Sequence, residues 1–306
     1  MQCLVTGATG FIGSALCAQL RQTDIHLIAV SRSGADLPIG GSSRAMDLNQ
    51  PGDLRGIDVV CHLAGIAHQK ADADNYQRVN TQATLNLARA AKQAGVRCFI
   101  FLSSVKAMGP QQDDKPREEG EVYPAQDPYG RSKWEAEKGL RILCADGAMD
   151  LIILRPCLVY GPSPKGNLRW LVRSAELGLP RPPQGGRRSL IGLNDLARLL
   201  SALVQQWPPG IHTWNVTDSC DYAACDLYDQ LRSALGHTTP ARYLPSTIWQ
   251  LACTGLDLLR RQPRGASYGK LFEGERYSNA ALLRDTGWQP RQTFADVAPA
   301  MLTVNK

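Results

Sequence analysis

No block of lysines and arginines, no long uninterrupted apolar run and no internal repeat marks this 306-residue chain. Each absence removes a class. The 34 Lys and Arg outnumber the 28 Asp and Glu to give a formal charge of +6, but the cations are scattered. That excludes a nucleic-acid arm and suits a cationic cleft for an anionic small molecule, or a solvated surface. The most apolar late stretch, Ile248 to Leu259, is broken by Gln250 and Asp257 and is too short to span a bilayer. It reads as an amphipathic helix packed on the body. There are 9 cysteines but no pair of pairs at zinc spacing, so no metal site is expected. Cys3, Cys61, Cys98 and Cys157 sit in apolar runs, where a thiol behaves as a small hydrophobe. Reduced thiols and a cytoplasmic setting follow as expectations. No signal peptide is expected, because the first residues run straight into a strand.

What is present is ordinary globular composition, with 43% hydrophobic and 20% charged residues. The length predicts one or two domains. Short β-branched runs at Gln2–Thr6, Ile25–Val30, Asp58–Leu63, Cys98–Ser103 and Leu151–Leu154 alternate with amphipathic segments such as Asn75–Ala94, stopped by Gly95. Near-continuous apolar strands alternating with helices predict an α/β fold with a doubly wound parallel sheet. Beyond Leu154 the prolines 162, 164, 180, 182 and 183 punctuate irregular chain, and helices are expected near Leu193–Gln206, Asp221–Leu235 and Thr247–Leu259. The pattern there reads as a smaller, mixed, substrate-covering part. The division expected is 1–160 plus 190–218 for the sheet, and 161–189 plus 219–306 for the second domain.

The run Thr6-Gly7-Ala8-Thr9-Gly10-Phe11-Ile12-Gly13 joins the first strand directly to the first helix. Gly7 permits the tight turn, Gly10 lets backbone approach a pyrophosphate, and Gly13 lets the helix pack closely on the strand. The helix start at Phe11 and Ile12 then offers free N–H groups to phosphate. In this strand–turn–helix context the glycines predict a Rossmann dinucleotide site. About twenty residues on, the second strand ends at Ser31-Arg32, where a site for NAD would place an acid. An arginine there suits a 2′-phosphate, so NADP(H) is the preferred cofactor and NAD(H) the alternative. Asp47, Leu48, Leu63, Ala64 and Gly65 fall where the next strands meet the cofactor edge.

Tyr129 and Lys133 stand four apart at the start of a helical stretch, hence on one face. A neighbouring ammonium favours the phenolate and lowers a tyrosine pKa, which makes the pair a plausible acid/base for carbonyl chemistry. Together with the glycine turn, His62 to Gly65, Val79 to Thr81, Phe101 to Ser104, Leu154 to Pro156, Val159 to Pro162 and Leu283 to Pro290, these residues give the chain its resemblance. It resembles an extended short-chain dehydrogenase/reductase of the NAD-dependent epimerase/dehydratase family.

That resemblance implies roles. Ser104, in preference to Ser103, matches the catalytic serine that holds the reacting oxygen. Tyr129 matches the proton donor, and Lys133 the lysine that binds the nicotinamide ribose. Asn80 matches the asparagine supporting the active-site helix, and Pro156 lies where backbone meets the nicotinamide amide. Arg188 matches an arginine that grips a nucleotide-sugar diphosphate, a role suited to bidentate pairing. Asn167 and Lys106 are further substrate-side candidates. The chain is expected to return to the sheet after Arg187-Arg188. The acidic loop Gly109–Asp127 either closes over the sugar or simply connects. The stretches Phe99 to Met108, Gln126 to Glu137 and Arg187 to Leu196 most resemble bacterial reductases of UDP-4-keto-6-deoxy-N-acetylhexosamines, which supply UDP-QuiNAc or UDP-FucNAc for O-antigen or capsule. Val105 and Lys106 replace the Asp-Glu pair of the dehydratases, which argues against water elimination. Met108 replaces a tyrosine common in epimerases. A UDP-sugar 4-ketoreductase is therefore expected, with a nucleotide-sugar 4-epimerase holding NAD tightly as the alternative and a non-catalytic dinucleotide sensor as a more distant one. No nucleic acid and no membrane span is expected, and a homodimer is left open.

Overall fold

The computed structural model describes residues 1–37, 40, 41, 43–67, 72–164, 166–237, 243–259, 265, 268, 269 and 272–303. Its main sheet has 7 strands: β1 Gln2–Thr6, β2 His26–Ser31, β3 Arg44–Ala45, β4 Val59–His62, β5 Cys98–Leu102, β6 Asp150–Pro156 and β9 Ile211–Val216. All neighbouring pairs run parallel, in the order β3-β2-β1-β4-β5-β6-β9. The strand order reverses between β1 and β4, and ligands of open α/β sheets bind at such a switch point, beyond the carboxyl ends of the strands. The glycine turn leaves β1 at that place.

Both faces of the sheet are covered, as its uninterrupted apolar strands require. On one face Leu16 and Leu20 of α1 (Phe11–Leu20) and Leu196, Leu199 and Leu203 of α6 (Leu193–Gln205) pack on Val5, Cys61 and Ile152. On the other, Leu87 and Ala91 of α3 (Ala83–Gln93) and Ala136 and Leu140 of α4 (Pro128–Cys144) pack on Val60, Phe99 and Ile153. The 9 cysteines are free thiols.

The second part is built on three short strands, β7 Leu158–Tyr160, β8 Arg188–Gly192 and β10 Asp221–Tyr222, in the order β10-β8-β7. Here the structure corrects two expectations. The chain after Arg187 joins this small mixed sheet rather than the main one, pairing parallel with β7 and antiparallel with β10. Asp221 and Tyr222 are strand, and the helix expected from Asp221 starts at Ala224 as α7 (Ala224–Ala234). In that strand the Tyr222 hydroxyl donates to buried Asp218 at 2.8 Å.

Two helices also depart from expectation. The segment Asn75–Ala94 is not one helix. A short α2 (Ala73–Tyr76) passes into a π turn, Gln77–Gln82, before α3. The wider turn lets Asn80 and Thr81 both reach Ser132 on α4, at 3.1 Å and 2.8 Å, and π turns of this kind gather at functional sites. The helix α8 (Ser246–Leu259) forms, with Leu251, Leu258 and Leu259 exposed. Among the described side chains, Trp249, Cys253 and Asp257, at i, i+4 and i+8, face inward, with Trp249 against the ring of Phe272.

Candidate active site

Gly7 has φ 67°, the left-handed region that glycine adopts without strain. A Cβ there would lie 2.8 Å from Ala64 N, so no side chain fits between the turn and the chain leaving β4. Gly13 is more restricted still: its Cβ would stand 2.1 Å from Gly7 O. Gly10 caps α1, whose first turn carries Phe11 and Ile12 and holds no acidic residue. Backbone N–H groups at a helix start with room for close approach form a cradle that fits a dinucleotide pyrophosphate. Across the switch point, Thr6 Oγ1 accepts from the N–H of Leu63 and of Ala64, both at 3.2 Å. Gly65 completes that edge, where a Cβ would press on Asn80 Oδ1 at 3.0 Å and touch Lys133 Nζ at 3.5 Å.

At the end of β2, Ser31 Oγ meets Ser43 Oγ at 2.6 Å and accepts from Ala35 N, while Arg32 is exposed. Asp47 lies just past β3, where its carboxylate accepts from Asn49 N at 2.9 Å beside half-buried Leu48.

Local chemistry brings Ser104 and Tyr129 together. Asp127 caps α4 by accepting from Gly130 N at 2.8 Å, and Pro128 occupies the first turn, where its missing N–H costs nothing. A Cβ on Gly130 would lie 2.4 Å from Lys106 O. Only glycine lets α4 sit this close to the 3-10 turn Val105–Met108 that Ser104 caps. Burial pushes the Tyr129 hydroxyl up to about 12, with a hydrogen bond from Ser104 pulling the other way. Burial therefore opposes the lowering that the neighbouring lysine was expected to give. Lys133 Nζ donates to Leu102 O at 2.8 Å and lies 4.7 Å from the centre of the Phe101 ring. Burial brings the Lys133 ammonium down to about 8, opposed by the charge of Glu137.

Ser103 turns away from this cluster. Its hydroxyl donates to Glu137, which forms a fully buried pair with Arg155 through Nε at 3.0 Å and Nη2 at 2.6 Å. Arg155 Nη1 reaches Glu119 O at 2.9 Å, and its neighbour Pro156 is buried at the end of β6. Glu137 escaped the sequence reading, although its place one turn beyond Lys133 was a usable signal.

His62 was also missed as an individual group. Thr6 Oγ1, already accepting two N–H bonds, donates to His62 Nδ1 at 2.7 Å. His62 Nε2 in turn donates to Thr84 Oγ1 at 2.8 Å, and Thr84 donates to Asn80 O at 2.7 Å. The Asn80 amide then donates to Ile66 O and to Ser132 Oγ. This directional chain runs from the glycine turn to the active-site helix and fixes one neutral tautomer of His62. Burial, with the Lys133 charge adding to it, holds the imidazole at about 3 instead of 6.5. Below pH 6.5 the unfolded chain takes up a proton that folded His62 refuses until about pH 3, so stability falls as pH drops through that window. Urea unfolding of the wild type should show this slope, and His62→Gln, which cannot titrate, should flatten it by several kcal/mol over the window at about 1.4 kcal/mol per pKa unit. Equal slopes would mean that His62 is not the group responsible.

On the substrate side, Lys106 pairs with Glu275, and Arg188 at the head of β8 donates to Glu273 O at 2.7 Å. Burial lowers the Arg188 pKa while Glu275 and Glu273 support its charge. Arg187 points elsewhere, to Asp226 at 3.1 Å. Asn167 is exposed on α5 (Gly166–Glu176), and among the described residues no hydrogen bond joins it to Ser104 or Tyr129. The loop before α4 is pinned by buried Arg117, whose guanidinium donates to the carbonyls of Met108, Gly109, Pro110 and Glu121.

Residues 3–217 match the NAD dependent epimerase/dehydratase family. The chain is 31% identical to a UDP-glucose 4-epimerase of Vibrio cholerae, over 99% of this chain and 96% of that protein. It is 25% identical to the N-acetyl-alpha-D-glucosaminyl-diphospho-ditrans,octacis-undecaprenol 4-epimerase of Escherichia coli O157:H7, over 84% of this chain and 80% of the relative. The crystal structure of the UDP-glucuronic acid 4-epimerase of Bacillus cereus in complex with NAD superposes with a TM-score of 0.77 at 20% identity, covering 99% of this chain and 98% of the other. With the glycine cradle at the sheet's switch point and Ser104, Tyr129 and Lys133 beside it, the chain belongs to the NAD-dependent epimerase/dehydratase family.

Proposed function

We propose that this protein inverts carbon 4 of a hexose carried on a diphosphate, with a UDP-hexose as the first substrate to try and NAD as the cofactor. The observation that carries the reading is the near end-to-end likeness to a UDP-glucose 4-epimerase. Both named relatives act, by their names, on a sugar joined to a diphosphate. The glycine cradle, Gly65 and Lys133 would hold the dinucleotide, which when bound accepts and returns a hydride at carbon 4. The chain's own work concerns the proton and the oxygen. Ser104 orients the carbon-4 oxygen, and Tyr129 takes its proton as the alcohol becomes a ketone. The Lys133 ammonium beside them favours the phenolate that this step requires, and the step leaves Tyr129 as the phenol. After the ketosugar presents its other face, Tyr129 returns the proton to the oxygen as the alcohol re-forms. Arg188 would grip the diphosphate, with Lys106 nearby. Arg188→Ala should then cost roughly 2–4 kcal/mol of UDP affinity, the range for losing one partner of a buried charge pair. Calorimetric titration checks it, and unchanged affinity would remove Arg188 from the site.

A second reading is reduction of a UDP-4-keto-6-deoxy-N-acetylhexosamine by NADPH. Two residues favour it: Arg32, exposed after Ser31 where NAD sites place an acid, and Met108 in place of a tyrosine. The two readings separate on the cofactor. An epimerase should purify with NAD bound and turn over UDP-hexose without added dinucleotide. A reductase should consume one NADPH per ketosugar and lose that preference in Arg32→Ala.

A further inference from the structure

Lys106 and Glu275 join the two ends of the proposed site. Ser104 Oγ accepts from Lys106 N at 3.2 Å, so Lys106 leaves the same turn as the hydroxyl that would hold the carbon-4 oxygen. Its ammonium meets the Glu275 carboxylate, 169 positions away in the chain. Glu275 in turn is held beside Arg188. Its N–H donates to Arg187 O at 3.0 Å, its carbonyl accepts from Ser189 N at 2.9 Å, and Arg188 and Glu275 face each other in a parallel backbone bridge. Of the two acids that support the Arg188 charge, Glu275 is the stronger and Glu273 the weaker. Next to the pair, Val105 and Met108 of the Ser104 turn pack with Cys157 and Tyr277.

A hexose with its carbon-4 oxygen at Ser104 and its diphosphate at Arg188 must lie between those two residues, so the pair faces the other substituents of the ring. The Lys106 and Glu275 side chains keep 45% and 34% of their surface open, which leaves room for a ligand to touch both. Exposed ion pairs add little to stability, so tying the turn to residue 275 is a weak reason for these charges. Specificity is a better one. The Glu275 carboxylate cancels the Lys106 charge and keeps its remaining lone pairs as acceptors for sugar hydroxyls. A carboxylate on the sugar would find no cation to itself and an acid already in place. Like-charge contacts of this kind are how a site refuses a wrong ligand. In a hexuronic acid that carboxylate is carbon 6, next but one to carbon 4.

We infer that Glu275 sets the sugar specificity: paired with Lys106, it admits a hexose that is uncharged beside carbon 4 and refuses a hexuronic acid. This role rests on the reading above in placing the carbon-4 oxygen at Ser104 and a diphosphate at Arg188, and it holds for either carbon-4 reaction. Glu275→Gln keeps the shape of the side chain and removes its charge. The Lys106 ammonium then has no counter-charge from Glu275 and is available to pair with a sugar carboxylate.

Calorimetric titration of the protein, supplied with NAD, with UDP, UDP-glucose and UDP-glucuronic acid tests this. The two sugars differ only at carbon 6, and binding needs no turnover. The wild type should bind UDP-glucuronic acid at least about tenfold more weakly than UDP-glucose, a lower bound for a like-charge contact. Glu275→Gln should bring the two affinities to within about threefold, whereas Lys106→Gln, which strands the acid, should widen the gap. Taking the ratio for each protein cancels whatever a substitution does to the shared diphosphate. Melting temperatures identify a variant that fails to fold, and the opposite signs expected of the two variants let either one decide. Equal affinities in the wild type, an unchanged ratio in Glu275→Gln or a narrowed one in Lys106→Gln overturns the role of Glu275. Discrimination between the sugars without inversion of UDP-glucose would defeat the epimerase reading and leave that role standing. A wild type that binds no UDP would defeat both.

Discussion

Tyr129→Phe should leave the protein folded and able to bind dinucleotide while lowering kcat by about 10²- to 10⁴-fold, the usual worth of a positioned acid/base. The substitution removes the hydroxyl alone. The ring packs near that of Tyr76, with centroids 6.0 Å apart, and phenylalanine keeps that contact. What is lost is the oxygen that takes and returns the proton, beside Ser104. Ser104→Ala should reduce turnover less, since it removes a hydrogen bond and not the proton carrier. Stopped assays on variant and wild type, with dinucleotide affinity measured separately, check both. Near-normal turnover of Tyr129→Phe would mean that another group moves the proton.

Glu137→Gln should destabilise the fold by about 3–5 kcal/mol, because it leaves the Arg155 guanidinium buried without its counter-charge. Both side chains are essentially inaccessible, at 1% for Arg155 and 0% for Glu137, so solvent offers little compensation. The same change removes the group that props up the Lys133 charge, and the alkaline limit of activity should shift below about pH 8. Urea unfolding reads the first effect and a pH–rate profile the second. Replacing both partners by leucine should cost less than either single change, since no unpaired charge remains. If Glu137→Gln is as stable as the wild type, the pair does not hold α4 to β6.

The parts of this site that were legible in the sequence are those in which one local segment carries the whole geometry. The glycine turn is eight consecutive residues whose spacing encodes strand, turn and helix, and the structure builds it at the switch point of the sheet. Tyr129 and Lys133 are one helical turn apart, so periodicity alone puts them on one face. Ser104 was preferred to Ser103 by resemblance alone, and in the structure the Ser103 hydroxyl donates to Glu137. What could not be read depends on partners far apart in the chain. The links from Thr6 through His62 to Thr84 join residues 56 and 22 positions apart. The Lys106–Glu275 pair spans 169 positions. The π turn at Gln77–Gln82 was hidden because its apolar spacing still resembles a helix. The strand β8 was assigned to the wrong sheet because an apolar run gives no information about which edge it will join.

The central claim is that the site oxidises and then re-reduces carbon 4 of the same sugar. A UDP-hexose labelled with deuterium at carbon 4, incubated with the protein and NAD and followed by NMR, tests it most directly. The account predicts an approach to a mixture of both carbon-4 epimers, with deuterium still at carbon 4 and no net accumulation of NADH. Failure to invert that sugar, with turnover appearing only when a 4-keto sugar consumes one equivalent of NADPH or NADH, would contradict it.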